Sequence, residues 1–76
     1  MNESNETIGK KADFFLKNSQ AVHIVLNNNQ FRNGYILEVA ADFLSFNDFR
    51  FPNIPMPVFF GEIVDIEPYA PREEKE

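Results

Sequence analysis

The stretch of residues 21–40, AVHIVLNNNQFRNGYILEVA, constrains the fold more than any other part of this chain. Residues 22–26 alternate between the two faces of a strand and are rich in β-branched side chains, a pattern typical of a half-buried β-strand. Three asparagines follow at residues 27–29, and because asparagine tolerates left-handed backbone, they predict a tight hairpin turn. A second strand then runs over residues 31–39. A strand, a tight turn and a long second strand are typical of the beginning of a small barrel.

The second strand contains an irregularity in its alternation. Phe31 and Ile36 are an odd number of positions apart, so strict alternation would place them on opposite faces. Asn33 and Gly34 lie between them, and a glycine inside a strand often marks a bulge that absorbs one extra residue and bends the strand. We therefore predict the structural bend of this strand at Asn33 and Gly34.

The remaining sequence predicts one helix before this hairpin and three short strands after it. The helix covers residues 5–18, and the later strands cover residues 43–49, 58–63 and 64–67. Between the third and fourth strands, the segment FRFPNIPMP carries three of the five prolines, which predicts a loop or a sheet edge. The predicted fold class is therefore mainly β, with an N-terminal α-helix followed by a five-stranded, strongly bent antiparallel sheet.

The length of the chain sets the predicted domain organisation. Seventy-six residues with 43% hydrophobic side chains are enough for one small domain with a thin core. We predict a disordered N-terminus over residues 1–4, a single domain over residues 5–69 and a flexible acidic tail over residues 70–76. The sequence contains no cysteine, no signal-peptide pattern and no apolar run of membrane-spanning length, which favours a soluble cytoplasmic protein without membrane contact.

The charge of the chain does not by itself decide whether it binds nucleic acid. A net charge of −5 argues against broad affinity for phosphates, which bind to Lys and Arg side chains. Much of the negative charge lies near the two ends of the chain, so the middle is closer to neutral.

Several positions along the chain match one known family. They are the alternating strand at residues 22–26, the Asn28-Asn29 turn, Gly34 with apolar residues two and five places after it, and the segment FFGEIVDIEP at residues 59–68. These positions and the order of the elements resemble the Sm-like (LSm) family, including its Hfq-type RNA chaperones. The resemblance implies a homo-oligomeric ring, hexameric or heptameric, in which the fourth strand of one copy pairs with the fifth strand of the next. It also implies a role in RNA binding or in a ribonucleoprotein complex.

The sequence departs from the family at the polar nucleotide pocket. Where the first motif of the family has an Asp and an Asn, this chain has Ala40 and Leu44. Where the second motif has an Arg or a Lys, this chain has Phe60. Asp42 lies nearby, but one carboxylate without a basic partner does not rebuild the pocket. We therefore predict that any RNA is held by stacking and by a few basic contacts, weakly and with little sequence preference.

Aromatic and basic side chains supply the candidate RNA contacts. Bases stack on aromatic rings, and Lys or Arg side chains bind phosphates. Burial in the core and in subunit contacts explains most of the rings more simply, and a solvated helix face explains the lysines of the helix. The candidate RNA-binding residues are Arg32, Asp42, Phe43, Arg50, Phe60, Lys10 and Lys11.

The candidate subunit interface lies on the last two predicted strands. These strands carry apolar side chains on both faces, whereas a thin monomeric core covers only one face. Self-association would cover the apolar side chains on the other face. The candidate interface residues are Val58, Phe59, Phe60, Val64 and Ile66.

Nothing in the sequence indicates catalysis. His23 is the only histidine, and the chain contains no nucleophile motif, no Gly-rich phosphate loop and no residues at metal-ligand spacing. We predict no enzyme activity, no cofactor and no metal. Two functions remain open: a ring-forming subunit that binds single-stranded RNA, and a structural or protein-interaction module that kept the barrel and the ring but lost RNA binding.

Overall fold

The computed structural model describes residues 3–70, with side chains from residue 7 onward. The elements are α1 (Glu3–Lys17), β1 (Val22–Leu26), β2 (Phe31–Val39), β3 (Phe43–Asp48), β4 (Met56–Phe59), a 3-10 turn (Phe60–Glu62) and β5 (Ile63–Pro68). Neighbouring strands pair antiparallel in the order β4-β3-β2-β1-β5. The predicted fold class, an N-terminal helix followed by a five-stranded antiparallel sheet, is confirmed.

The short connection between β4 and β5 requires the sheet to curl. These two strands lie at opposite edges of the sheet, so in a flat sheet they would be about 19 Å apart, or about four strand spacings. The 3-10 turn alone joins them, and a connection of that length spans at most about 14 Å between Phe59 and Ile63. The sheet therefore bends strongly enough to bring its two edges close to each other.

Helix α1 packs across β2, β5 and the 3-10 turn. Its buried side chains, Ile8, Ala12 and Phe15, recur at helical spacing and face the sheet. Burying such a stripe is what holds a short helix in place, because an isolated helix of this length is only marginally stable in water. The other buried apolar residues come from the strands and the turn: Val22, Ile24, Leu26, Ile36, Leu44, Phe46, Val58, Phe60, Ile63 and Ile66.

The helix is longer at its start than the sequence predicted. It begins at Glu3 rather than near Asn5, because residues 3–5 contain neither proline nor glycine to interrupt the helical backbone. Half of the segment predicted to be disordered, residues 1–4, is therefore helical. Residues 1–2 lie outside the described part of the chain, as does the predicted flexible tail apart from Ala70.

The last two strands have different boundaries from those predicted. The fourth strand is Met56–Phe59 rather than residues 58–63, and the fifth is Ile63–Pro68 rather than residues 64–67. The physical reason is that Phe60 and Ile63, three positions apart, are both buried. Side chains three apart share a face in a 3-10 turn but not in a strand, so the chain leaves the extended conformation between them.

The predicted bulge at Asn33 and Gly34 was wrong in its position. The pairing of β1 with β2 runs without a shift through these residues, and Phe31 is exposed on the face opposite Ile36. The register shift in β2 instead lies between Ile36 and Glu38, in its pairing with β3. The shift allows Ile36 and Val39, three positions apart, both to pack on the core.

Gly34 is required for a different reason. An ideal Cβ at this position would overlap the backbone carbonyl oxygen of Asn47 and lie 2.9 Å from its carbonyl carbon. Gly34 does not have a positive φ, so the glycine is needed for close approach of β3 and not for an unusual backbone conformation.

Candidate functional site

Two of the predicted RNA contacts, Arg32 and Arg50, line one open groove of about 330 Å³. Asn29, Gln30 and Phe31 complete the described lining of this groove. Arg32 lies on β2 and Arg50 lies two residues after the end of β3, so two neighbouring strands bring the two side chains to the same groove.

The register of the sheet explains why the two arginines meet. Gly34 pairs with Asp48, and the ladder continues through a hydrogen bond from the Phe49 amide to the Asn33 carbonyl oxygen at 2.9 Å. One further step along the ladder places Arg50 beside Arg32. Like charges on neighbouring strands repel, so this arrangement favours a bound anion.

A buried carboxylate partly balances these charges. Asp48 is only 1% exposed, and its Oδ1 accepts a hydrogen bond from the Arg50 backbone amide at 2.8 Å. Arg50 Nε and Nη2 each lie 3.4 Å from a carboxylate oxygen of Asp48. Burial acts to raise the pKa of Asp48, but the hydrogen bonds from Arg50 and the charges of Arg50 and Arg32 outweigh it, so the pKa lies below its ordinary value. One negative charge facing two guanidinium groups leaves the groove with net positive charge.

Aromatic rings border the two arginines. Phe31 is exposed beside the groove, and Phe49 and Phe51 are exposed on either side of Arg50 in the chain. A second pocket of about 180 Å³, lined in part by Phe31, Phe49, Arg50 and Tyr69, adjoins the first. The surface therefore combines guanidinium groups with ring faces, the two groups that bind phosphates and bases.

His23 lies on the same face of the sheet as Phe31. Its ring packs against Phe31 with 5.1 Å between centroids, and its Nδ1 lies 2.5 Å from Asn33 Oδ1. Asn33, predicted as a bend residue, thus fixes the orientation of the histidine ring.

The other predicted contacts lie elsewhere. Asp42 is exposed in the turn between β2 and β3, where its carbonyl oxygen accepts a hydrogen bond from the Phe60 amide at 3.0 Å. Phe43 is half-buried and pairs with Phe59, with 5.5 Å between ring centroids. Phe43 begins β3, about 17 Å along the strand from its last residue, Asp48, and Arg50 lies two residues beyond that end. The predicted residues therefore do not form one site.

Phe60 is not available to stack on a base. Its side chain is 3% exposed, and its ring lies 3.5 Å from the place that a Cβ on Gly9 of α1 would occupy. The prediction of an RNA contact at Phe60 was wrong, because this side chain fills the core beneath the helix.

The two predicted lysine contacts on α1 differ from each other. Lys10 is exposed. Lys11 Nζ lies 2.6 Å from Asp65 Oδ1 and 3.4 Å from the Ile66 carbonyl oxygen, so it joins the helix to β5. The hydrogen bond from Lys11 is the main cause that lowers the pKa of Asp65, burial acts against it, and the Ile66 amide adds to the lowering.

The predicted interface residues divide between the core and the surface. Val58, Phe60 and Ile66 are buried within the chain itself, since alternate positions of a curled sheet face its interior. Phe59 is 47% exposed on β4, and Val64 is 60% exposed on β5. Val64 lies where the pairing of β1 with β5 shifts register, which leaves it outside the ladder.

Sequence reasoning missed Asp48 and the exposure of Phe31. The spacing of Asp48 two residues before Arg50 was a usable signal, because an Asp side chain commonly accepts a hydrogen bond from the amide two residues later. The odd separation of Phe31 and Ile36 was also a signal. It indicated that the two side chains lie on opposite faces of the strand, which is what the structure has.

The described residues contain no group of three or more His, Asp or Glu side chains placed to hold a metal ion. Within the same part of the chain, no helix is long and apolar enough to cross a membrane.

Comparison with known proteins identifies the architecture. No family model matches the sequence, and no curated protein matches it significantly. A crystal structure of the pleiotropic translational regulator Hfq matches with a TM-score of 0.67 and 19% sequence identity, over 76% of this chain and 92% of that chain. The chain has an Sm-like fold. In this Sm-like fold, β4 and β5 are the two edge strands, and the substituted pocket positions Ala40 and Phe60 lie at the two turns beside them.

Proposed function

We propose that this chain is a non-enzymatic, ring-forming Sm-like subunit that binds single-stranded RNA, in the cytoplasm and with residues 5–69 as its single domain. The observation that carries the proposal is the groove in which Arg32 and Arg50 meet beside the exposed ring of Phe31. The guanidinium groups can bind phosphate oxygens, and an unpaired base can stack on the ring of Phe31.

The two edge strands support assembly into a ring. Among the described residues, β4 and β5 each pair with a strand on one side only, and unpaired edges favour pairing with another copy. Phe59 and Val64 place exposed apolar side chains on these two edges. Pairing of β4 in one copy with β5 in the next, as in the resembling family, would cover both and close a hexamer or heptamer.

The turns at residues 40–42 and 60–62 are poor places to bind RNA. The positions of the polar pocket hold Ala40, Leu44 and the buried Phe60, and the exposed carboxylate of Asp42 repels phosphates. RNA binding at the arginine groove alone would depend on phosphate contacts and stacking. Binding should therefore be weak and tolerant of sequence.

The proposal is tested by measuring fluorescence anisotropy of labelled U-rich and A-rich oligoribonucleotides over a salt series. Arg32→Gln should weaken binding similarly for both sequences and reduce the salt slope by about 0.7, the contribution of one phosphate contact on a single strand. Lys17→Gln is the matched control, because it removes the same charge from an exposed ion pair on α1, away from the groove. Arg32 is preferred to Arg50 for this test, since loss of Arg50 would leave the buried Asp48 unpaired.

The second candidate is a structural or protein-interaction module with the same barrel and ring. The loss of the polar pocket at Ala40, Leu44 and Phe60 favours it. Absence of RNA binding even at low salt, together with an assembled ring, would select this candidate over the first.

A further inference from the structure

The loop of residues 49–55, FRFPNIP, exposes apolar side chains on an ordered backbone. Phe51 is 46% exposed and Ile54 is 59% exposed. The loop is nevertheless fixed, because the Phe51 amide donates to the Asp48 carbonyl oxygen at 2.9 Å and the Ile54 amide donates to the Phe51 carbonyl oxygen at 3.1 Å. The prolines at positions 52 and 55 restrict the backbone further. The exposure of these side chains is thus a feature of a defined conformation.

Arg50 connects this loop to the groove. Its side chain lines both adjoining pockets, and its Cζ lies 5.6 Å from the centroid of the Phe51 ring. On the other side of Arg50, the Phe49 ring packs edge-on against Tyr35 and Tyr69, with centroids 5.7 Å and 5.4 Å away. Phe49 is therefore held between two aromatic rings, whereas the Phe51 ring has the Arg50 guanidinium group beside it and is 46% exposed.

We propose that the loop of residues 49–55 is a second contact for single-stranded RNA, in which a base stacks on Phe51 and its phosphate contacts Arg50. This inference rests on the proposed function and extends it, because it places the path of the RNA from the arginine groove outward over the β3–β4 loop. RNA long enough to reach Phe51 then binds more tightly than RNA that fills the groove alone.

The chemistry of the loop favours nucleic acid over a protein partner. An apolar protein surface would bury the guanidinium groups of Arg50 and Arg32 with the single carboxylate of Asp48 to balance them, which is costly. A nucleotide supplies both a flat apolar group for the ring and a negative charge for Arg50 and the neighbouring Arg32. The strand must be single, since stacking on a protein side chain requires an unpaired base.

The test compares Phe51→Ala with Ile54→Ala in the full chain. Both residues are exposed in the same loop, so each substitution should leave the melting temperature unchanged, and the Ile54 variant controls for loss of apolar area. The ligands are oligouridylate and oligoadenylate of about 2 and about 18 nucleotides, which lie below and above the usual footprint of a single-strand site. Phe51→Ala should weaken binding of the longer RNA about tenfold, with little effect on the shorter one. Ile54→Ala should change neither.

A direct signal for stacking is available because the chain contains no tryptophan. Phe51→Trp places the only tryptophan of the variant at the proposed contact and retains a stacking surface. This variant should bind the longer RNA at least as tightly as the original chain, and its fluorescence should be quenched on binding.

The outcomes separate this inference from the proposed function. If Arg32→Gln weakens binding while Phe51→Ala does not, the loop contact is overturned and the groove stands. If RNA does not bind to the original chain, both fail together. If Phe51→Ala and Ile54→Ala weaken binding equally, or if Phe51→Trp is not quenched, the stacking contact is overturned.

Discussion

A Cβ atom added to Gly34 would overlap the backbone carbonyl oxygen of Asn47 on the neighbouring strand. Gly34→Ala therefore forces β2 and β3 apart, and we expect a loss of unfolding free energy of about 1–3 kcal/mol or more. Urea denaturation measures the loss. Gly61→Ala is the matched control, because among the described residues no atom lies within 4 Å of a Cβ added there. Equal stability of the two variants would contradict the close approach of the strands.

The stability of the chain should fall in acid. Asp48 and Asp65 have folded-state pKa values below their ordinary range, so their charged forms stabilise the fold. This contribution is complete above the unfolded pKa of about 3.9 and disappears as the pH falls through the lower folded pKa values. Asp48→Asn should lower the urea midpoint at neutral pH and flatten its decline in acid.

The control for the acid experiment is Asp13→Asn, which removes a carboxylate from an exposed pair with Lys17. This variant keeps Asp48 and Asp65 and should keep the steep decline. A decline of unchanged steepness in the Asp48 variant would mean that other groups cause the acid sensitivity.

The two neighbouring lysines of α1 should behave differently. Lys11→Gln breaks the ion pair with Asp65, and because both side chains are more than one third exposed, we expect a loss of at most about 1 kcal/mol. Lys10→Gln, on the exposed side of the helix, should leave the melting temperature unchanged. Thermal unfolding followed by circular dichroism checks both, and the opposite ranking would show that Lys11 does not hold the helix to β5.

Assembly should depend on the two edge strands. Light scattering at micromolar concentration should give the mass of a hexamer or heptamer for the original chain. Val64→Lys places a charge on the β5 edge and should yield monomers that keep their circular dichroism spectrum. Ile54→Lys, at an equally exposed position outside the strands, should remain assembled. A monomeric original chain would refute the ring.

Local patterns in the sequence predicted the helix and the strands, but they did not predict the register shift and the turn that interrupt the strands. The alternation from Val22 to Leu26 predicted β1 correctly because each of its buried positions faces one continuous core. The shift after Ile36 was missed because a bulge depends on how two strands must meet, and the glycine nearby offered a plausible local explanation. The turn at Phe60–Glu62 was missed because Gly61 and Glu62 lie between Phe60 and Ile63, two apolar residues that favour a continuous strand.

Only the charged residues of the candidate site could be predicted from the sequence. Arg32 and Arg50 were identified by type, and their meeting followed from a strand register that residue types do not specify. The ion pair of Lys11 was missed for the same reason, since its partner Asp65 lies 54 positions away in the chain. Phe60 was misassigned because an aromatic residue in an apolar segment has no sequence mark that separates burial from exposure.

The 3-10 turn of Phe60–Glu62 joins the two edges through which neighbouring copies would pair. In a closed ring each copy is rotated from the last by about 60° for a hexamer and by about 51° for a heptamer. The angle between the two edge strands of one copy, β4 and β5, therefore decides how many copies close the ring. The turn contributes to that angle, since Phe60 is anchored beneath the helix and a Cβ added at Gly61 would meet no atom outside the adjacent residues within 4 Å. A change of conformation in this turn that rotated one edge against the other would therefore alter the diameter of the whole assembly.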